Sequence, residues 1–158
     1  MNALVVYDSQ YGNTELIAEA IVNALKEYGQ ARAIRADRAD ADQLRSADVV
    51  ILGCPTQGWR PTRSMQSLLA HVPADVWPEV SAVAFDTRFH WPRFLSGSAA
   101  RGISKRVAQL GARLVAPAES FFVTGKTGPL QDGELERAGR WARAWARALH
   151  DKLEKTRT

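Results

Sequence analysis

The stretch VVYDSQYGNTELIAEAI, Val5 to Ile21, changes its hydrophobic period within a few residues. Its start belongs to a short apolar run, Ala3 to Tyr7, which predicts a strand buried on both faces. Its end opens a longer segment, Asn13 to Tyr28, in which Leu16, Ile17, Ala20, Ile21, Ala24 and Leu25 recur at helical spacing until Gly29 stops them. Between the two lie Asp8, Ser9, Gln10, Tyr11, Gly12, Asn13 and Thr14. Small hydroxyls at Ser9 and Thr14, a glycine that lets backbone come close, and a helix starting at once make a cradle of amides and hydroxyls suited to an anion. No Lys or Arg lies inside it. The Gly-Lys-Ser/Thr ending of a P-loop and the Gly-x-Gly-x-x-Gly spacing of a dinucleotide site are both absent. An ordinary capped turn, with Ser9 or Asn13 as N-cap, accounts for Gly12 and one cap but not for two flanking hydroxyls.

Outward from this unit the alternation continues. Ala31 to Ala36 reads as a weak edge strand and Asp40 to Arg45 as a short helix. Asp48 to Gly53 has the apolar run of a central strand, and Thr62 caps a helix carrying Met65, Leu68, Leu69 and Val72. Val80 to Phe85 is a fourth strand and Gly97 to Leu110 a basic helix closed by Gly111. Arg113 to Val123 is a fifth strand interrupted at Pro117, and Asp132 caps a last helix to about Lys152. In that helix Leu135, Ala138, Ala142, Trp145 and Leu149 share one face, and Arg137, Arg140, Arg143 and Arg147 the solvated opposite one, with Trp141 covering the sheet edge from the border.

Five strands alternating with five helices predict an α/β fold with a parallel sheet covered on both faces, and neither linker nor repeat divides residues 1–158 into more than one domain. Ligands of such sheets bind beyond the carboxyl ends of the strands. Those ends fall at Asp8 to Thr14, Gly53 to Thr62 and Asp86 to Phe94.

Composition narrows the classes. A chain of 158 residues that is 46% hydrophobic and 24% charged is neither disordered nor collagen-like. The single cysteine, Cys54, excludes an internal disulfide and a zinc cluster. No segment approaches the ~20 apolar residues of a membrane span, so the expected location is the cytoplasm. Lys and Arg outnumber Asp and Glu by 21 to 17. That balance by itself permits several kinds of anionic partner, and the arginine face of the last helix reads first as a solvated surface, so nucleic acid is not expected.

The run from Val5 to Ile21 resembles the flavodoxin signature: two aliphatics, an aromatic, a hydroxyl, two free positions, Gly, one free position and Thr, then Ala18 and Ile21 on the helix. The likeness extends over most of the chain and implies a short-chain flavodoxin-like three-layer sandwich with five parallel strands in the order 2-1-3-4-5. It also implies FMN, held without a covalent link, with Ser9, Gln10, Tyr11, Gly12, Asn13 and Thr14 on its 5′-phosphate. The second loop, Pro55, Thr56, Gln57, Gly58 and Trp59, then meets the ring, Trp59 as an aromatic plate and Gly58 as the peptide that can reorient on reduction. The third loop departs from the family, which usually has a glycine, an acid and a tyrosine there. This chain has Asp86, Thr87 and Arg88 for the pyrimidine edge, and Phe89 or Trp91 as a second plate. His90 reads as an exposed loop residue. Cys54 reads as a small hydrophobe, since a redox thiol would lack a second cysteine to resolve it.

Function follows the resemblance. The expectation is an electron carrier that shuttles electrons between redox partner proteins. Alternatives are an FMN-dependent oxidoreductase of the quinone reductase or protoporphyrinogen oxidase kind, and a cofactor-free regulatory module. Flavodoxins are usually acidic, whereas Arg60, Arg63, Arg88 and Arg93 fall in or beside the ring loops here. At ~8 Å one such charge is worth roughly 0.5 to 2 kcal/mol to an anionic ring. The reversed sign predicts a reduced flavin that is less destabilised than in acidic relatives, and a partner with an acidic docking surface.

Overall fold

The computed structural model describes residues 1–157. In chain order the elements are β1 (Asn2–Tyr7), α1 (Asn13–Leu25), β2 (Gln30–Arg35), α2 (Ala41–Arg45), β3 (Val49–Pro55), α3 (Arg63–His71), β4 (Ser81–Phe89), α4 (Arg93–Ser96), α5 (Ala99–Gln109), β5 (Arg113–Leu114), β6 (Glu119–Val123) and α6 (Glu134–Arg157). The strands are parallel and ordered β2-β1-β3-β4-β5, with β6 also on β4.

Period-two alternation along the central strands divides the core in two. Leu4, Val6, Val50, Leu52, Cys54, Ala82 and Ala84 face α3 and α5, where they meet Met65, Leu68, Ile103 and Val107. Ala3, Val5, Tyr7, Val49, Ile51, Val83 and Phe85 face α1 and α6, where they meet Ile17, Ile21, Ala138, Ala142 and Trp145. Strands apolar on both faces are therefore required by helices on both faces. Gly53 has a packing reason: a Cβ there would lie 2.1 Å from the buried Phe85 ring.

Three expectations are revised. The fifth strand is two pieces, β5 on Ser81 and Ala82 and β6 on Phe85 to Phe89, because the chain breaks from the ladder around Pro117, which has no N–H to donate. Strand β4 runs on to Phe89 rather than stopping at Phe85, since β3 and then β6 supply it with partners. Helix α6 begins at Glu134 and runs to Arg157, so Asp132 lies in the preceding turn instead of capping it, and Leu135 is 40% exposed rather than in the core.

The arginine face of α6 is also less uniformly solvated than its spacing suggests. Arg137 pairs with Glu134 at 2.7 Å and lies over Phe121 at 4.6 Å, and Arg143 pairs with Glu27 at 2.7 Å. Trp141 packs edge-on against Phe85 and Phe121, as its border position predicts.

Candidate functional site

The carboxyl ends of β1, β3 and β4 open on one cleft of about 730 Å³, within the size range of small-molecule and cofactor sites. Its floor at one end is the β1–α1 turn. Gly12 is the N-cap of α1 in a left-handed conformation, φ 89°, and it has no side chain with which to cap. Ser9 takes over part of that work, its Oγ accepting from the amides of Gly12 at 3.1 Å and Glu15 at 3.4 Å. Among the described residues the amides of Gln10, Tyr11, Asn13 and Thr14 have no hydrogen-bond partner, and they stand at the positive end of a 13-residue helix. Thr14 Oγ1 and Thr87 Oγ1 are 2.7 Å apart, which ties the turn to β4.

The turn is braced from outside the cleft. Arg35 donates to Asp8 Oδ1 and to the Ser9 carbonyl, each at 3.2 Å, and lies over the Tyr7 ring. Tyr7 in turn donates to Glu15 at 2.6 Å. Burial raises the Tyr7 pKa, with the Glu15 contact adding to the effect, so the phenol keeps the proton it donates.

The second loop is a tight turn. Gln57 and Arg60 exchange backbone hydrogen bonds at 2.9 and 3.0 Å, and both residues between them have positive φ, 52° at Gly58 and 72° at Trp59. A primed turn of this kind suits glycine; a tryptophan in its second position is strained. The turn presents Trp59 at 62% exposure, while Gln57 bonds Gln10 at 2.6 Å and joins this loop to the first.

The third segment is the end of β4, where Asp86 and Arg88 share one face of the strand and Thr87 and Phe89 the other. Thr87, Arg88 and Phe89 line the cleft. Asp86 is fully buried, and its Oδ2 accepts from Thr56 Oγ1 at 3.1 Å, Ser98 Oγ at 2.7 Å and the Ala100 amide at 2.9 Å, holding the start of α5 against β3. Desolvation pushes its pKa up in spite of these donors and of Arg88 nearby. Trp91 stacks on Phe89 with ring centroids 4.8 Å apart and is 55% exposed. His90 is exposed and stacks on Phe122 at 3.9 Å, outside the cleft.

Ser9, Gln10, Tyr11, Asn13, Thr14, Pro55, Thr56, Gln57, Gly58, Thr87, Arg88 and Phe89 thus share one cavity, whereas Gly12, Trp59, Asp86 and Trp91 are not among the residues that line it. Arg63, expected beside the ring loops, lines it as well, and sequence reasoning missed Ser64, Val123 and Lys126, which also line it. Lys126 comes from the turn after β6, where Asn13 Nδ2 donates to the Thr127 carbonyl at 3.2 Å. The carboxyl end of the last parallel strand was the available signal. Cys54 is buried, and desolvation pushes its thiol up to about 12, which denies it thiolate chemistry.

The family model of flavodoxin matches residues 5–86, just over half the chain. The chain belongs to the flavodoxin family. Family members are FMN-binding flavoproteins. A flavodoxin from Megasphaera elsdenii is 40% identical over 55 residues, a match spanning 34% of this chain and 40% of that protein. An archaeal flavodoxin structure superposes with a TM-score of 0.79 at 22% identity, covering 94% of this chain and 99% of that one. Rubredoxin:oxygen oxidoreductase from Desulfovibrio gigas superposes at 0.75 with 19% identity, where 96% of this chain covers 37% of the larger one. Those two likenesses concern the flavodoxin fold. Among the described residues no helix is long and apolar enough to cross a membrane.

The residues present fit the flavodoxin cofactor. Four unpartnered amides with the Ser9 and Thr14 hydroxyls match a phosphate, and a cleft walled by Pro55, Gly58, Phe89 and Val123 matches a planar, largely apolar ring.

Proposed function

We propose that this flavodoxin-family chain is a single FMN-binding domain, residues 1–158, that carries electrons between redox partner proteins in the cytoplasm. The observation that carries this reading is the set of free amides at the start of α1, opening into a cleft with the Phe89–Trp91 stack at one side. The amides of Gln10, Tyr11, Asn13 and Thr14, with Ser9 and Thr14, would hold the 5′-phosphate. Pro55, Thr56, Gln57, Gly58 and Trp59 would meet the ring from one loop, and Thr87, Arg88, Phe89 and Trp91 from the other. When bound, FMN supplies the electron storage; the protein binds it, shields it and sets its charge environment.

Charge supports a partner with an acidic surface. Residues 55–74 and 87–118, which build the two ring loops, α3 and α5, hold eight basic residues and no acidic one. The rest of the chain holds thirteen basic against seventeen acidic. The excess is therefore concentrated in the segments that form the ring loops, where Trp59, Trp91, Phe94 and Leu95 are each more than half exposed. Aromatics and arginines of this kind are what docking surfaces use.

The test is direct. Purified protein should be yellow, release FMN on denaturation and regain it stoichiometrically after refolding. Protein that stays colourless after incubation with FMN would refute the proposal.

A further inference from the structure

Arg88 differs from the other cations at the cleft. Arg60, Arg63 and Arg93 are exposed, so water and salt attenuate their fields, whereas the Arg88 side chain is only 9% exposed. Its donors are largely committed. Nε donates to Ser120 Oγ at 2.9 Å, and Nη1 to the carbonyls of Phe89 and Trp91 at 3.3 and 2.8 Å and to Ser96 Oγ at 3.0 Å. Among the described residues Nη2 has no hydrogen bond, although Arg88 lines the cleft. The guanidinium is thus fixed from behind and keeps a vacant donor.

Its counter-ions are held at a distance or shared. Asp86 Oδ1 is 3.9 Å from Nε, an ion pair too long for a hydrogen bond, with Ser120 acting on both groups, while the other oxygen of that carboxyl is spent on Thr56, Ser98 and Ala100. Burial favours the protonated form of Asp86, which weakens it further as a counter-ion. Glu119 attracts Arg88 too, but is itself 3.5 Å from Arg137. Burial lowers the Arg88 pKa, yet a guanidinium remains charged near neutral pH.

We propose that Arg88 sets the flavin's redox balance, its vacant donor and shielded charge stabilising the negative charge gained on two-electron reduction, so that this chain favours reduced over oxidised FMN. The proposal rests on the FMN reading above. The balance is two electrons from the redox partner and one proton from solvent, leaving one extra negative charge on the cofactor. A fixed cation in a shielded site favours that state without having to reorganise.

The test uses full-length protein loaded with FMN. Spectroelectrochemical titration, with FMN affinity measured under oxidising and under dithionite-reduced conditions, compares wild type with Arg88→Lys, Arg88→Gln and Ser96→Ala. The expected result is a more negative two-electron midpoint in Arg88→Gln, with affinity for reduced FMN falling at least tenfold more than affinity for oxidised FMN. Arg88→Lys should keep most of the wild-type midpoint, and Ser96→Ala, which loosens the loop while keeping the charge, should keep all of it. Equal midpoints in wild type and Arg88→Gln, both yellow, would overturn the role of Arg88 alone. A fall in Ser96→Ala as large as in Arg88→Gln would also overturn it, making Arg88 a loop clamp. Wild-type protein that binds no FMN would instead refute the functional reading beneath it. Should Arg88→Gln fail to fold, Arg88→Met and Arg88→Lys provide the same comparison of charge absent with charge kept.

Discussion

Trp59 occupies a backbone conformation that costs a side-chain-bearing residue about 1 to 2 kcal/mol, and its indole is mostly in water. Trp59→Gly is expected to raise stability in urea titration by about 1 kcal/mol while weakening FMN binding, because the same change removes strain and the indole proposed to meet the ring. Opposite signs in the two measurements would mark the strain as functional. Gly53 presents the reverse situation. Gly53→Ala forces a methyl group into the Phe85 ring, and the ring, itself fully buried, has nowhere to go. A loss of about 2 kcal/mol or more is expected in the same assay. The plate role of Trp59 was legible in its loop but its positive φ was not, and the constraint on Gly53 comes from a strand some thirty positions away.

At the scale of elements, the start of α6 shows how charge can dock a helix. Burial disfavours the Glu134 carboxylate, but the Arg137 hydrogen bond, the Phe122 amide at 2.7 Å and the Arg137 charge outweigh it, so its pKa lies below the usual glutamate value. A depressed carboxylate pKa contributes stability that is present above the unfolded-state value and is lost as pH falls through the folded one. Wild-type protein should therefore lose part of its stability in the acid range, and Glu134→Gln should flatten that dependence. Arg137→Ala should cost about 2 kcal/mol at neutral pH, as chemical denaturation would show, because it strands a nearly buried carboxylate. The sequence pattern placed Arg137 among solvated arginines; the approach of β6 to the helix start draws it partly out of water. The split of the fifth strand belongs to the same scale. Pro117 announced an interruption, but only the length of β4 shows that both pieces pair with it.

At the scale of the whole molecule, the excess of four positive charges is a poor description of its field. The two segments that build the ring loops, α3 and α5 hold eight basic residues and no acidic one, while the rest of the chain is net negative, and such an uneven distribution steers encounters. Replacing Arg60, Arg93 and Arg101 together by Gln is expected to slow electron transfer to an acidic acceptor protein about tenfold at low salt, with the difference vanishing at high salt. Stopped-flow kinetics across ionic strength would check this, and a variant as fast as wild type at low salt would contradict the docking surface.

The sequence by itself determined the alternation of strands and helices, the two-sided burial of the central strands and the turn from Asp8 to Thr14, because each depends on a local period or a local backbone requirement. It also brought three of the loops to one end of the sheet, since parallel strands leave their carboxyl ends together. Tertiary structure decided what pairing and enclosure create. It buried Asp86 under the start of α5, brought Lys126 close to Asn13, drew Arg137 partly out of solvent and left Arg88 shielded with a donor to spare. Those outcomes depend on which groups exclude water from one another, and that is a property of contacts between segments distant in the chain.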